Sequence, residues 1–358
     1  MILKSEKIMK VRFTMVAAIF AAFLSLIVIS LSSLVHADTN SDSSFSVTTN
    51  LNKYQRNDKV SYFDLLMGPG EKTILSINII NNDDITQHYT ASINRAVTNI
   101  NTIIDYSQTT STDMIGLNEN FDLRRMVTPQ DQKVTIAGHQ KKEVQFEVTM
   151  PKEVLKGVLL GGVYVRQEVE SKVSNGYTNR FNFVTTLLIR QSNDLVKADL
   201  NLNKVSVKAD NVGVINANIS NKTSAYLTDL TTTGSLFKSD DQDKPLVMSK
   251  QKSRSIAPNT NFDYQLPVGN KKLKPGRYIL DLTIVSKKTN QTWHWRETLT
   301  ISDKDTKAIS LVTGYHIPTP WWVWLLIGLG CLLVLLFLLI LWLLIKRRKS
   351  KEEFERDS

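Results

Sequence analysis

The sequence predicts an all-β protein, with two tandem β-sandwich domains followed by one C-terminal transmembrane helix. Three observations lead to this prediction. Short segments in which apolar and polar residues alternate recur through most of the 358 residues, with turn-forming residues between them. Three of these elements recur in the same order in each half of the chain. One long apolar run without a charge lies near the C-terminus.

Alternation with a period of two residues identifies the strands. It is clear in the segments 74–80, 144–148 and 214–219. Such a strand buries one face, and Asn, Asp, Gly and Pro at its ends form turns. Helical periodicity is absent outside the two apolar ends of the chain. Many short strands joined by turns predict antiparallel sandwiches of the Ig-like kind.

An internal repeat indicates that the two sandwiches are related. A strand runs into Asn81 in the first half of the chain and into Asn221 in the second. An Ile-Ala-Gly turn then begins at Ile136, and an Ile-Ala-Pro turn begins at Ile256. The third element is an apolar strand entered through a glycine, in KGVLLGGVYV and again in KPGRYILDLTIV.

The first domain carries a long insertion between the first two repeated elements. Long insertions in sandwiches tend to carry function. The insertion supplies Asn99, Asn101 and Tyr106 as candidate binding residues. The glycine-rich strand supplies Gly161 and Gly162, which predict a bulge or a close backbone approach. A strand without side chains is also a place where the backbone of a partner can dock.

The N-terminus has the layout of a secretory signal peptide over residues 1–37. Basic residues precede an apolar stretch from Phe13 to Val35, and small residues precede the expected cleavage after Ala37. An uncleaved signal anchor is the alternative, because the apolar stretch is long.

Residues 321–345 predict a transmembrane helix. They are 25 residues without a charge, and a helix that spans about 30 Å of hydrocarbon needs about 20. Tryptophans mark both edges, and the positive-inside rule places the basic tail 346–358 in the cytoplasm. The predicted membrane-anchoring residues are Trp321, Trp322, Trp324, Trp342, Lys346, Arg347, Arg348 and Lys349.

The ectodomain divides into two domains. We place domain one at 38–170, a boundary hairpin or linker at 171–195, domain two at 196–303, and a linker at 304–320. The strand from Phe181 to Arg190 either closes domain one or bridges to domain two.

Charge, cysteine content and the lack of catalytic motifs argue against several classes of function. The formal net charge of +10 includes no dense basic run, so nucleic-acid binding has no support. The single cysteine, Cys331, lies in the apolar run, and an ectodomain without disulfides fits a Gram-positive bacterial surface. No zinc-protease helix, nucleophile elbow or ectodomain cysteine is present. We therefore predict neither an enzyme nor a cofactor.

Two tryptophans leave a choice of interpretation. Trp293 and Trp295 are two residues apart on a predicted strand and face the same side. They either stack on a sugar or belong to the core, and core packing is the commoner role in a sandwich.

Three segments of the first half carry a family resemblance. Tyr62–Asp83, Asn94–Ser107 and the strand KGVLLGGVYV resemble the first domain of the bacterial WxL-interacting proteins. Ala257–Trp295 resembles the second domain of that family. The signal peptide, the membrane helix and the basic tail complete the pattern. The family's Asn-x-Asn-Gly-like turn lacks its glycine here and reads Asn99–Thr102.

The resemblance implies a membrane-anchored adaptor on a Gram-positive cell, with its ectodomain facing the wall. Domain one is then of a peptidoglycan-binding type and domain two of a host-binding type. The implied partners are WxL-domain surface proteins, peptidoglycan and a host extracellular ligand. A stand-alone adhesin for host matrix or glycans is the alternative, and an enzyme on wall polymer is disfavoured because no catalytic constellation is found.

Overall fold

The computed structural model describes residues 43–108, 114–168, 181–269, 271, 273–312, 326, 328–330, 332, 334–340 and 342. Several predicted features lie outside the described residues. They are the signal peptide with Ala37, the tryptophans Trp321, Trp322 and Trp324, and the basic residues Lys346, Arg347, Arg348 and Lys349.

The described chain is mostly β, as predicted. The strands of domain one are β1 Phe45–Asn50, β2 Phe63–Leu66, β3 Lys72–Asn81, β4 Gln87–Arg95, β5 Val97–Thr98, β6 Ile104–Asp105, β7 Val127–Thr128, β8 Asp131–Ile136, β9 Lys141–Thr149, β10 Val158–Glu168 and β11 Asn182–Arg190. Those of domain two are β12 Leu200–Ala209, β13 Gly213–Asn221, β14 Leu227–Lys238, β15 Val247–Ile256, β16 Thr260–Pro267, β17 Gly276–Ser286 and β18 Gln291–Ile301. Within the two domains the helical elements are a 3-10 turn Glu119–Phe121, α1 Leu123–Met126 and α2 Asp303–Val312.

Domain one is a sandwich of two sheets around one apolar core. One sheet has the order β1-β3-β9-β7, and the other has the order β2-β11-β10-β4-β8. Alternate residues of both sheets, such as Ile77 and Phe146 in the first and Ile93 and Val165 in the second, are fully buried between them. The period-two pattern of the sequence is therefore the pattern of core contacts.

Strand β11 belongs to domain one, which answers the question that the sequence left open. It pairs antiparallel with β10 along its full length and parallel with β2. The parallel neighbour is held by Asp64, whose buried carboxylate accepts from Arg190 of β11 at 3.0 Å and from Arg56 at 3.2 Å.

Domain two repeats this plan with fewer strands. Its sheets have the orders β12-β13-β16 and β15-β14-β17-β18. Trp293 and Trp295 of β18 are half-buried and pack against the core, so the core interpretation of these residues is confirmed. Helix α2 begins the segment that the sequence assigned to a linker, and it places Ile309 in the same core.

The internal repeat is confirmed, because corresponding asparagines of the two domains make corresponding hydrogen bonds. Asn81 and Asn221 end β3 and β13, and both are buried. The Asn81 amide donates to the carbonyls of Ile85 at 2.8 Å and Ala137 at 3.1 Å. Asn221 donates to the carbonyls 4 and 36 residues further on, at 2.8 and 2.9 Å. Each asparagine therefore links the end of its strand to the repeated turn of its own domain, which begins at Ile136 in domain one and at Ile256 in domain two.

Among the described residues, no helix is both long enough and apolar enough to cross a membrane. The described residues between 326 and 342 are helical and exposed, and they include Trp342.

Candidate functional site

A depression lies on the outer face of the five-stranded sheet of domain one. Strand register sets its floor in rows. Tyr164 of β10 pairs with Ser92 of β4, which pairs with Asp131 of β8. In the next row, Arg166 pairs with Thr90, which pairs with Lys133. Side chains two residues apart on a strand point to the same face, so both rows project outward.

This outer-face cleft has a volume of about 520 Å³. The sheet forms its floor and the insertion between β4 and β8 forms a wall. Its lining residues are Thr90, Ser92, Ser107, Arg124, Asp131, Lys133, Tyr164, Arg166 and Glu168. Five of these nine side chains carry a charge, so the cleft is built for a polar ligand.

Arg124 fixes the wall of the cleft to its floor. It lies in the first turn of α1, where the Asp122 side chain accepts from its backbone N–H. The largely buried guanidinium donates to the Ile93 carbonyl at 3.1 Å and to the Asp131 carboxylate at 2.8 Å. Burial alone raises the pKa of Asp131, but hydrogen bonds from Arg124 and Ser92 outweigh it and hold that pKa below its usual range. Asp131 therefore remains ionised at neutral pH.

The second charged pair lies on β10. The Glu168 carboxylate accepts from the Thr90 hydroxyl at 2.7 Å and from Arg166 at 2.8 Å. These hydrogen bonds lower the pKa of Glu168, so it also stays ionised. Lys133 differs from the other four charged side chains, because it makes no ion pair with any described residue. The cleft thus holds three cations and two anions, and Lys133 is the cation without an ion pair among the described residues.

Tyr164 is the aromatic element of the cleft. It is half-buried in the first row, and burial raises the pKa of its phenol. Its neighbour across the strand pair is Val184, which is 42% exposed. Tyr164 and Val184 together give the charged floor one apolar contact surface.

The insertion that walls the cleft also joins the two domains. Thr102 at the tip of the β5–β6 hairpin accepts at its carbonyl from the backbone N–H of Ser255 at 2.9 Å. The Thr98 hydroxyl accepts from the N–H of Ala257 at 2.9 Å. The Asn259 side chain donates to the carbonyl of Ile115 at 2.9 Å. These three direct hydrogen bonds hold domain two against the insertion.

An apolar cluster seals the same junction. Ala96, Leu160 and Leu188 of domain one are buried together with Ala257 of domain two. The junction therefore covers the outer sheet face around the paired residues Leu160 and Leu188, and the cleft lies further along the same face.

Comparison with known protein families assigns both domains. Residues 45–167 match the model of the WxL-interacting protein peptidoglycan-binding domain. Residues 173–310 match the model of the WxL-interacting protein host-binding domain. The chain belongs to the WxL-interacting protein family. The resemblance predicted from the sequence is confirmed, and the cleft lies on the domain whose family model is described as peptidoglycan-binding. Both descriptions are of binding modules.

Solved structures and curated proteins add little to the family assignment. The E. coli chaperone DraB is 14% identical, with 72% of this chain and 97% of that chain covered and a TM-score of 0.26. The CsuC–CsuE chaperone–tip adhesion subunit complex of Acinetobacter baumannii gives 11% identity, 64% and 93% coverage and a TM-score of 0.28. No curated protein matches the chain.

The structure of this WxL-interacting protein places Asn99 and Asn101 at the domain junction. The Asn99 side chain accepts from the backbone N–H groups of Asn101 at 3.0 Å and Ile103 at 3.2 Å. It therefore shapes the tight β5–β6 turn whose tip contacts domain two. These two residues do not line the cleft.

Tyr106 lies between the junction and the cleft. Its ring packs against the apolar cluster of the junction, and burial raises the pKa of its phenol. Its carbonyl accepts from the Asn94 side chain at 2.8 Å. Ser107, the next residue, lines the cleft. The predicted insertion therefore reaches the cleft through its neighbour and not through Tyr106 itself.

Gly161 and Gly162 have a packing role, which corrects their assignment as binding residues. Both are buried, and β10 pairs on both sides here, so no strand edge is open to a partner. The register is regular, which leaves close approach, and not a bulge, as the reason for glycine. A Cβ atom at Gly161 would lie 2.4 Å from the Leu123 side chain, and one at Gly162 would lie 3.1 Å from the Tyr106 ring.

The residues of the cleft itself were not among the sequence candidates. A signal for part of it was present, because Tyr164, Arg166 and Glu168 occupy alternate positions of a strand whose other face is apolar. Outward-facing polar residues on a strand are common, so this pattern alone marks a solvent face. The wall residue Arg124 gave no such signal.

Proposed function

We propose that this WxL-interacting protein is a membrane-anchored surface adaptor whose domain one binds peptidoglycan through the outer-face cleft. The observation that carries the proposal is the position of the cleft. It is an open, charged depression on the domain matched to a peptidoglycan-binding family, and its wall is the insertion that distinguishes this domain from domain two.

The adaptor has a second binding partner in a WxL-domain protein of the same cell surface. The family name supports this partner. Domain two binds a host extracellular ligand, which its family description supports. The hydrogen-bonded junction suits such a role, because it fixes the direction in which domain two projects from a wall-bound domain one.

The apolar run 321–345 anchors the protein, with the ectodomain facing the wall and the tail 346–358 in the cytoplasm. Its 25 uncharged residues, its terminal tryptophans and the basic cluster after it support this topology. The signal peptide 1–37 supports export. Protease treatment of intact cells should remove the two domains and leave the tail protected, and a protected ectodomain would contradict the topology.

Sedimentation with purified sacculi tests the cleft. The full chain in detergent micelles should pellet with sacculi, and Tyr164→Ala should weaken this binding about tenfold, because the variant loses an aromatic contact worth roughly 1.4 kcal/mol. Tyr62→Ala is the matched control, since Tyr62 is 38% exposed on domain one and does not line the cleft. Equal loss in both variants would contradict a role for the cleft.

A pull-down separates the adaptor from the stand-alone adhesin. The full chain, mixed with purified WxL-domain proteins from the same bacterium, should retain at least one of them. An adhesin would bind host matrix or glycans and leave WxL-domain proteins unbound. Absence of binding to both WxL-domain proteins and sacculi would overturn the adaptor function.

A further inference from the structure

Peptidoglycan has two chemically different parts, and the cleft is suited to one of them. Its glycan strand consists of N-acetylated sugars that offer hydroxyl and amide groups. Its peptide stem carries carboxylates and, on its diamino acid, amine groups. We propose that the outer-face cleft recognises the peptide stem and not the glycan strand. This inference rests on the proposed binding of peptidoglycan by domain one.

The balance of lining groups favours a charged ligand. Five of the nine lining side chains are charged, and only Tyr164 is aromatic. An uncharged sugar that covered these charges would remove water from them without replacing it by an opposite charge, which is costly. A ligand with its own carboxylate and amine groups compensates that loss, because charge-assisted hydrogen bonds are roughly twice as strong as neutral ones.

The arrangement of the cations predicts where a carboxylate binds. Lys133 and Arg166 lie in one row on either side of Thr90. Their strands are two strand spacings apart, or roughly 10 Å. Both side chains are long enough to reach a group held above Thr90. Lys133 has no ion-pair partner among the described residues, so a ligand carboxylate at this place does not have to displace one from it.

The anions select against purely acidic polymers. Asp131 and Glu168 lie in the rows on either side of the Lys133–Arg166 row, and hydrogen bonds keep both ionised. They neutralise Arg124 and Arg166, with which they are paired, so a chain of phosphodiesters finds only one net positive charge in the cleft. Alternating cations and anions therefore match a peptide that carries both signs better than they match a wall polyphosphate.

Competition tests the inference with the full chain in detergent micelles. The protein is first pelleted with sacculi freed of other wall polymers. Purified stem peptides should release it into the supernatant, and uncharged oligomers of N-acetylglucosamine should not. Release by these sugar oligomers, or failure of stem peptides to release the protein, overturns the inference. A protein that never pellets with sacculi overturns the proposed function as well.

Substitutions at Lys133 give a second, independent test. Lys133→Gln should weaken binding to intact sacculi about tenfold, since it removes a charged hydrogen bond, and Lys133→Arg should restore most of it. Lys141→Gln is the matched control, because Lys141 is an exposed strand lysine on the opposite sheet. Unchanged binding by Lys133→Gln, or an equal loss in the Lys141 control, overturns the inference. Purified teichoic acid that releases the protein as well as stem peptides do also overturns it.

Discussion

The two domains share one plan and differ at the point where domain one carries its insertion. Strands β10 and β17 each begin at a glycine-led turn, with Gly157 and Gly276 both at positive φ. Four residues later, domain one has Gly161 and domain two has Leu280, which is buried in its core. In domain one the side chain of Leu123, from the insertion, fills the space beside the glycine. In domain one a side chain of the insertion, Leu123, therefore fills the space that a side chain of the strand itself, Leu280, fills in domain two.

The outer sheet faces differ in the same way. The positions of Tyr164 and Arg166, seven and nine residues after the turn, are Thr283 and Val285 in domain two. In domain two only the short segment 239–246 joins β14 to β15, in place of the long insertion of domain one. The outer sheet face of domain one forms a cleft because the insertion encloses it and brings the charge of Arg124 to its edge.

A turn common to both domains shows how one motif serves two purposes. His139 and Asn259 occupy the same place after the repeated turn, and both have positive φ, at 56° and 51°. Each donates its backbone N–H to a carbonyl in the turn after the repeated asparagine, Asp83 for His139 and Thr223 for Asn259. Asn259 also contacts the insertion of domain one through its side chain, whereas His139 makes an exposed contact with Asp84 at 2.8 Å. The same turn geometry therefore contacts the neighbouring domain at Asn259 and stays exposed at His139.

The largest effect is expected at Gly161, where the Leu123 side chain of the insertion packs against the strand. Gly161→Val should destabilise domain one by about 3 kcal/mol or more, because its Cβ would lie 2.5 Å from the backbone oxygen of Asn94. Leu280→Val at the corresponding position should cost only about 1 kcal/mol, since it removes one buried methylene. Urea unfolding followed by far-UV circular dichroism measures both. A tolerated Gly161→Val would show that the Leu123 contact is not required.

A smaller effect distinguishes the two buried tyrosines. Burial raises the pKa of Tyr89 in domain one and Tyr264 in domain two to about 12. The Tyr89 hydroxyl donates to Asn81 at 3.2 Å, whereas the Tyr264 hydroxyl has no partner among the described residues. Tyr89→Phe should therefore cost about 1 kcal/mol, and Tyr264→Phe should be neutral or stabilising. Urea unfolding at pH 7 decides between them, and equal losses would contradict the difference in hydrogen bonding.

The same tyrosines set an alkaline limit. Because the folded pKa lies above the usual value of 10, their contribution to stability is complete below pH 10 and is lost as the pH rises towards 12. In Tyr264→Phe this loss should be smaller than in the unsubstituted chain, as measured by urea unfolding between pH 9 and 12. An unchanged alkaline profile would show that Tyr264 is not the group that titrates.

Much of the fold could be predicted from local pattern, and the cleft could not. The repeat around Asn81 and Asn221 could be seen because each motif is a short contiguous segment. Gly161 and Gly162 correctly indicated a close approach, but the groups that approach, Leu123 and Tyr106, are distant in sequence. Nothing local specifies that pairing, because it depends on how the insertion folds back over β10.

The candidate residues Asn99 and Asn101 lie on the insertion that walls the cleft but do not line the cleft itself. Long insertions in sandwiches tend to carry function, and this insertion does wall the cleft. Its hairpin tip, however, contacts domain two, and the cleft is formed by Ser107 and Arg124 at other points of the same segment. Only strand register brings Lys133 beside Thr90 and Arg166, and register is a property of the folded sheet.

The smallest expected effect sharpens the comparison of the two outer faces with one matched pair of substitutions. Thr90 and Thr231 occupy corresponding positions of β4 and β14, where Thr90 pairs with Arg166 and Thr231 with Val285. Thr90→Val keeps the shape of the side chain and removes the hydroxyl that holds Glu168. We expect binding to sacculi to weaken about threefold, because one modest hydrogen bond of the cleft is lost. Thr231→Val should leave binding unchanged, and the stability of both variants should stay within about 0.5 kcal/mol of the unsubstituted chain. If Thr231→Val weakened binding as much as Thr90→Val, the threonine face of domain two would also contribute to the site. The insertion would then not be what gives domain one its binding function.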